Sequence, residues 1–189
     1  ICAGFNADID GDQMAIHVPL SSKAQEEAKT LMMAKENIFG PANAQPITVP
    51  NREMALGCYY LTFMEDNQKD ETLKCFLLPE DAIRAYNIGK IGVQQRIKVR
   101  INNEMIETSV GRILFNQALP KEMQFLNSVI KGITIRDIIL KAMELFGKEK
   151  VSEVIDNIKG IGFWGATIAG VSISIFDAKI VPDKQRYLD

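Results

Sequence analysis

The sequence has three cysteines, one histidine and one tryptophan in 189 residues, and each scarcity narrows the range of functions. Cys2, Cys58 and Cys75 lie far apart and form no C-x-x-C pair. That pattern implies reduced thiols in a cytosolic setting and argues against a zinc site. The lone histidine, His17, has no thiol or serine nucleophile beside it, so it is expected as a structural imidazole in a strand rather than a general acid. Surplus charge is missing too: 22 basic and 24 acidic residues leave a net −2. No global basic field draws such a chain to nucleic acid, so any contact with DNA or RNA must be local or supplied by a partner. Gly160 to Phe176 carries no charge, yet it is shorter than the ~20 residues of a membrane span and is broken by Gly162, Gly165 and Gly170. No secretory signal is present, and the sequence opens at Ile1, as though cut from something longer. With 47% hydrophobic and 24% charged residues, it is globular material able to bury a core.

What the sequence does have is Asn6-Ala7-Asp8-Ile9-Asp10-Gly11-Asp12-Gln13-Met14, with three carboxylates at alternating positions. At about 4 Å and an effective dielectric of about 20, each pair of such charges costs on the order of 4 kcal/mol. A folded chain keeps the cluster ionised only if water or a cation neutralises it. Hard oxygen ligands converging on one point suit Mg²⁺. Gly11 allows a backbone dihedral closed to other residues, so that Asp12 can turn back toward Asp8 and Asp10. The blandest reading is a solvated turn. Asn6, Asp8, Asp10 and Gly11 also fall at positions 1, 3, 5 and 6 of an EF-hand, but His17 stands where its bidentate Glu belongs. Asp8 to Gly11 resembles the Asp-x-Asp-Gly of aspartate-nucleophile phosphatases as well, although Asp12 stands where that family has Thr or Val.

Along the chain, Ile1 to Phe5 and Ala15 to Leu20 read as short strands flanking the loop. Ser22, with Gln25 as capping-box partner, opens a helix whose apolar stripe is Ala24, Ala28, Leu31 and Met32; its methionines are expected as core filler. Three prolines keep Ile38 to Pro50 a loop. Asn51 is the expected cap of the next helix, with Glu53 in its first turn and Tyr59 and Tyr60 as packing residues. Glu65 to Glu71 is polar and reads as a boundary. Thr72 to Leu78 is a candidate strand and Pro79 to Tyr86 a helix with proline in its first turn. Val93 to Ile101 alternates, with Ile97, Val99 and Ile101 on one face and Arg96, Lys98 and Arg100 on the other. Asn102-Asn103 closes a hairpin onto Glu104 to Ser109, setting Lys98 opposite Glu107. The basic face reads first as solvated, with RNA or an acidic surface as the alternative. Thr134 and Asp137 start a helix with Ile135, Ile138, Ile139, Ala142 and Leu145 inward, ended by Gly147. Val151, Val154, Ile155 and Ile158 define another, ended by Gly160, and the pair makes a helical hairpin. Gly162, Ala166, Ala169 and Gly170 suit close packing.

The aspartate string, continuing Ala15-Ile16-His17-Val18-Pro19-Leu20-Ser21, resembles the active-site loop of the largest subunit of multisubunit DNA-dependent RNA polymerases, the bacterial β′ type above all. Pro41-Ala42-Asn43-Ala44-Gln45-Pro46, Asn51 to Thr62, Ser109-Val110-Gly111-Arg112 and Gly162 to Pro182 resemble the same family at its spacing. The resemblance implies an α+β fold: part of a double-psi β-barrel carrying the loop over residues 1–64, then a helix-rich pore or funnel module over residues 65–189. It implies nucleotidyl transfer from ribonucleoside triphosphates on a DNA template, with Asp8, Asp10 and Asp12 as catalytic ligands of Mg²⁺ and Asn6 on the ribose. Expected partners are a second large subunit, assembly subunits, an initiation factor, DNA template and RNA product, in a bacterial cytoplasm or an organelle of bacterial descent, with no membrane. Ile9 stands where the family usually has Phe, Ala44 where it has Gly, and Arg52 where it has Gln. A stand-alone Mg²⁺-dependent phosphohydrolase, or a metal-binding module, is the alternative. On the polymerase reading, the isolated chain is expected to be inactive.

Overall fold

The computed structural model describes residues 2–65, 73–179 and 184. In chain order its helices are α1 (Cys2–Phe5), α2 (Ser22–Glu27), α3 (Glu53–Thr62), α4 (Pro79–Asn87), α5 (Val110–Gln117) and α6 (Gly132–Ala169). The strands β1 (Cys75–Phe76), β2 (Arg96–Ile101) and β3 (Glu104–Ser109) form a sheet in that order, β1 parallel and β3 antiparallel to β2. The architecture is therefore mixed α+β.

The hairpin forms as its pattern predicts. Asn102 and Asn103 take positive φ of 50° and 69°, the left-handed pair that asparagine tolerates and a two-residue turn requires. This register puts Lys98 opposite Glu107 and buries Ile97 and Val99 against Ala82 of α4 and Val110 and Ile113 of α5. Arg96 bonds the Glu107 carboxylate through Nε at 2.9 Å and also through Nη2, while Lys98 Nζ stands 3.6 Å away. These cations, the Arg96 hydrogen bond foremost, hold the Glu107 carboxyl below its ordinary range. Of the candidate strand from Thr72 to Leu78, Thr72 lies outside the described residues, and among the rest only Cys75–Phe76 pairs. The polar boundary at Glu65 to Glu71 falls mostly outside the described residues.

The second core lies where α3 meets α6. Gly147, at φ 73° and ψ −177°, breaks α6 into two arms. Ile135, Ile138, Ile139 and Ala142 of the first arm join Val151, Val154, Ile155 and Ile158 of the second in one buried cluster with Cys58 and Phe115. Each such aliphatic side chain contributes about 1.5–3 kcal/mol when fully buried. The backbones of α3 and the second arm all but touch: a Cβ on Gly57 would lie 1.8 Å from the Gly162 carbonyl oxygen, and one on Gly165 2.6 Å from that of Gly57. Gly111 brings α5 equally close, since its Cβ would lie 1.9 Å from the Leu61 carbonyl oxygen.

Polar groups seal this junction. Arg112 is buried; its Nε donates to the Thr62 carbonyl at 2.9 Å and its Nη1 to the backbone and side-chain oxygens of Asn127, both at 3.0 Å. Burial lowers the guanidinium pKa. Thr62 Oγ1 donates to the Cys58 carbonyl at 2.7 Å and accepts from the Ile130 N–H at 2.8 Å. Burial also pushes the Cys58 thiol up to about 12, so it stays protonated and inert.

Several expectations are corrected. The segments expected as strands at 1–5 and 15–20 are corrected: Ile1 lies outside the described residues, Cys2–Phe5 is one helical turn, and 15–20 has no regular structure. A strand needs a ladder partner, and among the described residues none pairs with either segment. His17 accordingly lies exposed outside any strand. Ser21, not Ser22, caps α2, its Oγ accepting from the Ala24 N–H at 3.2 Å. The stripe of that helix is not buried, for the chain passes into a π turn over Ala28–Met32 and leaves Leu31 and Met32 exposed. Arg52 occupies the cap expected of Asn51. In α6 the Thr134 hydroxyl accepts from the Lys131 N–H at 3.4 Å, so the helix starts two residues before Thr134, and Leu145 points outward. Gly160 does not end a helix; α6 runs on to Gly170, because burying Gly162 and Gly165 against α3 outweighs the weak helix propensity of glycine.

These packing and charge contacts lead to three predictions. Gly162→Ala, whose Cβ would lie 2.5 Å from the Met54 carbonyl oxygen, should lower the unfolding free energy by about 2 kcal/mol or more in urea melts. Gly160→Ala, with nothing within 4 Å, should raise it by roughly 0.5–1 kcal/mol. The depressed Glu107 carboxyl stabilises the fold at pH above the ordinary carboxylate range, and that contribution disappears as pH falls through its depressed pKa. Glu107→Gln should remove that part of the acid limb of Tm against pH and leave the slope at neutral pH unchanged.

Candidate active site

The aspartate loop follows α1 directly. Asn6, at φ 50°, turns the chain out of the helix, and Gly11, at φ 126°, reverses it again. That reversal brings Asp12 back to Asp8, whose N–H donates to Asp12 Oδ2 at 2.9 Å. Asp8 Oδ1 accepts from the Ile9 N–H at 2.8 Å. Asn6, Asp8, Asp10 and Asp12 are all exposed. A pocket of about 320 Å³ beside the loop is lined by Phe5, Asn6, Asp12, Gln13 and Met14 among others. It brings Asn6 and Asp12 to one wall; Asp8 and Asp10 do not line it.

Whether these residues fit Mg²⁺ is a matter of donor chemistry and of arrangement. In kind they fit: the donors are hard carboxylate oxygens, and among the described residues none of the three aspartates is ion-paired. Asp8 and Asp12 each use one lone pair on a backbone N–H and keep the others free. In arrangement, the described residues gather no set of three or more His, Cys, Asp or Glu side chains around a common point. Mutual repulsion disfavours such a set unless a cation joins it, and among the described residues no cation is ion-paired with the three carboxylates.

A family model described as RNA polymerase Rpb1, domain 3, matches residues 37–178. The chain belongs to the RNA polymerase Rpb1 family. A second Rpb1 model, domain 2, matches residues 1–34 and so contains the aspartate loop. Among Rpb1-family relatives, the protein named DNA-directed RNA polymerase subunit beta' of Sulfurihydrogenibium sp. is 44% identical over 189 residues, covering 100% of this chain and 12% of the relative. Its namesake from Thermotoga petrophila is 40% identical over 196 residues, and that from Bacteroides fragilis 41% over 193. The chain thus spans 12% to 14% of the length of these curated relatives.

Within this Rpb1-family chain Ala44 takes φ 53°, and Arg52 takes φ 49° and ψ −120°, both in the region that favours glycine. Ile9 is 88% exposed. Gln13, not singled out from the sequence, shares the pocket with Asn6 and Asp12; its place inside the string was the available signal. Among the described residues no helix is long and apolar enough to cross a membrane.

An exposed loop with no surrounding shell holds a cation loosely. Calorimetric titration of the chain with Mg²⁺ should give a Kd of about 1 mM or weaker, at the weak end known for carboxylate sites. Asp8→Asn or Asp12→Asn should remove that binding without altering the melting temperature.

Proposed function

We propose that this chain carries the metal-binding loop of the catalytic centre of a DNA-directed RNA polymerase, within a larger subunit. The observation that carries the reading is a carboxylate loop with no ion pair among the described residues, inside a chain that aligns along its whole length with a polymerase β′ subunit. On this reading Asp8, Asp10 and Asp12 hold Mg²⁺ through their carboxylate oxygens. When bound, the ion supplies Lewis-acid charge at a reacting hydroxyl and phosphate. Asn6 offers a side-chain amide to the ribose, whose 2′-hydroxyl is both donor and acceptor and so distinguishes RNA from DNA precursors. Gly11 keeps Asp12 turned toward Asp8, and the exposure of the loop leaves room for triphosphate and RNA end together.

The finer fold follows the same reading. Residues 1–64 complete a double-psi β-barrel with segments of the larger subunit, and residues 65–189 form a pore or funnel module. Support comes from Ile16, Val18 and Leu20, 93%, 76% and 89% exposed at alternate positions, a strand pattern without its neighbours. Partners are the second large subunit, assembly subunits, an initiation factor, DNA and RNA, in a bacterial cytoplasm or an organelle of bacterial descent.

The test is Mg²⁺-dependent, DNA-templated incorporation of ribonucleotides by the intact complex, isolated through the full-length subunit. Asp10→Ala should lower synthesis by on the order of 10³-fold or more, about 4 kcal/mol of barrier, with subunit assembly intact. Loss of assembly in that variant would make the loop structural. A partner-free protein that hydrolyses phosphate esters alone would point to the phosphohydrolase instead.

A further inference from the structure

A cleft of about 580 Å³ opens where α3 and α6 both begin, away from the aspartate loop. Its wall includes Asn43, Gln45, Asn51, Arg52, Gly132 and Arg136. Arg52 and Arg136, both exposed, thus line one cavity with Asn43, Gln45 and Asn51, and no acidic residue lines it. Glu53 and Asp137, their neighbours in sequence, are not part of the wall. Among the described residues neither Arg52 nor Arg136 has a salt bridge or a side-chain hydrogen bond, whereas Arg84, Arg96 and Arg112 are all engaged. The α3 helix has no side-chain cap bond at its first turn, so the positive end of its dipole adds to the same field.

We propose that this cleft is an oxyanion site for a phosphate-bearing ligand, gripped by Arg52 and Arg136. Guanidinium is a rigid fork of N–H donors matched to phosphate oxygens, and two of them neutralise the charge a di- or triphosphate brings. The amides of Asn43, Gln45 and Asn51 supply neutral donors on the same wall. The proposal uses no residue of the aspartate loop and stands whether or not the polymerase reading does.

Inorganic tripolyphosphate is the probe, titrated at low ionic strength into the complete chain and followed by calorimetry and by amide NMR. One site is expected, weakened at least about tenfold by Arg52→Gln and by Arg136→Gln, the loss expected for one charge-assisted hydrogen bond. Arg100→Gln, which removes an exposed cation of β2, should leave affinity unchanged. In the unsubstituted protein the shifts should concentrate at the side-chain amides of Asn43, Gln45 and Asn51, a readout that needs no variant to fold. Absence of binding, equal losses in all three variants, or shifts centred elsewhere would overturn the proposal. So would Arg-dependent capture of a polyglutamate peptide but not of tripolyphosphate, which would assign the cleft to an acidic protein segment.

Discussion

The close approach of α3 to the second arm of α6 is the constraint on which the rest of the described structure depends. Gly57, Gly162 and Gly165 remove the side chains that would otherwise hold the two helices apart, and backbone meets backbone. Once that distance is set, Cys58 drops into the cluster formed by both arms of α6. Leu61 comes within reach of Gly111, and the C-terminal carbonyls of α3 arrive where Arg112 and Thr62 can bond across to the next segment. The hairpin leads into α5 through Ser109, whose hydroxyl accepts from the Arg112 N–H, so the sheet inherits its position from the same junction. Ser109-Val110-Gly111-Arg112 is therefore a packing motif: a cap, a buried valine, a missing side chain and a buried donor, in that order.

The segment with the aspartate loop is organised on the opposite principle. Residues 4–20 bury nothing fully, and the helix after them leaves its apolar stripe in solvent. Among the described residues nothing is ion-paired with Asp8, Asp10 or Asp12, and they do not assemble around a point. This asymmetry makes physical sense for a loop whose ligands come from outside. A cluster already satisfied by lysines or arginines of its own chain would gain little from a metal ion. The carboxylates here keep most of their lone pairs uncommitted.

Much was legible from local chemistry. The alternation from Arg96 to Ile101, the Asn102-Asn103 turn and the Lys98–Glu107 pairing depend on period, φ preference and register, which neighbouring residues settle between themselves. The break at Gly147, the proline start of α4 and the buried faces of both α6 arms are of the same kind. At the candidate site, the turn of Asp12 toward Asp8 was implied by Gly11, and the family by the string around it. The errors fell where the outcome depends on distant partners. Ile16, Val18 and Leu20 alternate like a strand, yet hydrogen bonding needs a second strand. Gly160 reads as a stop, yet a helix continues through it when the next turn packs on α3.

By itself, then, the sequence determined the aspartate loop, the hairpin and its charge pairing, the helix faces and the family, because each rests on residues a few positions apart. Only the tertiary structure decided that Gly57, Gly162 and Gly165 meet, that Arg112 reaches Thr62, and that Arg52 and Arg136 share a cleft. Those pairs are separated by tens of residues or more. Which of them touch is set by the packing of whole helices, a cooperative outcome that no local pattern encodes.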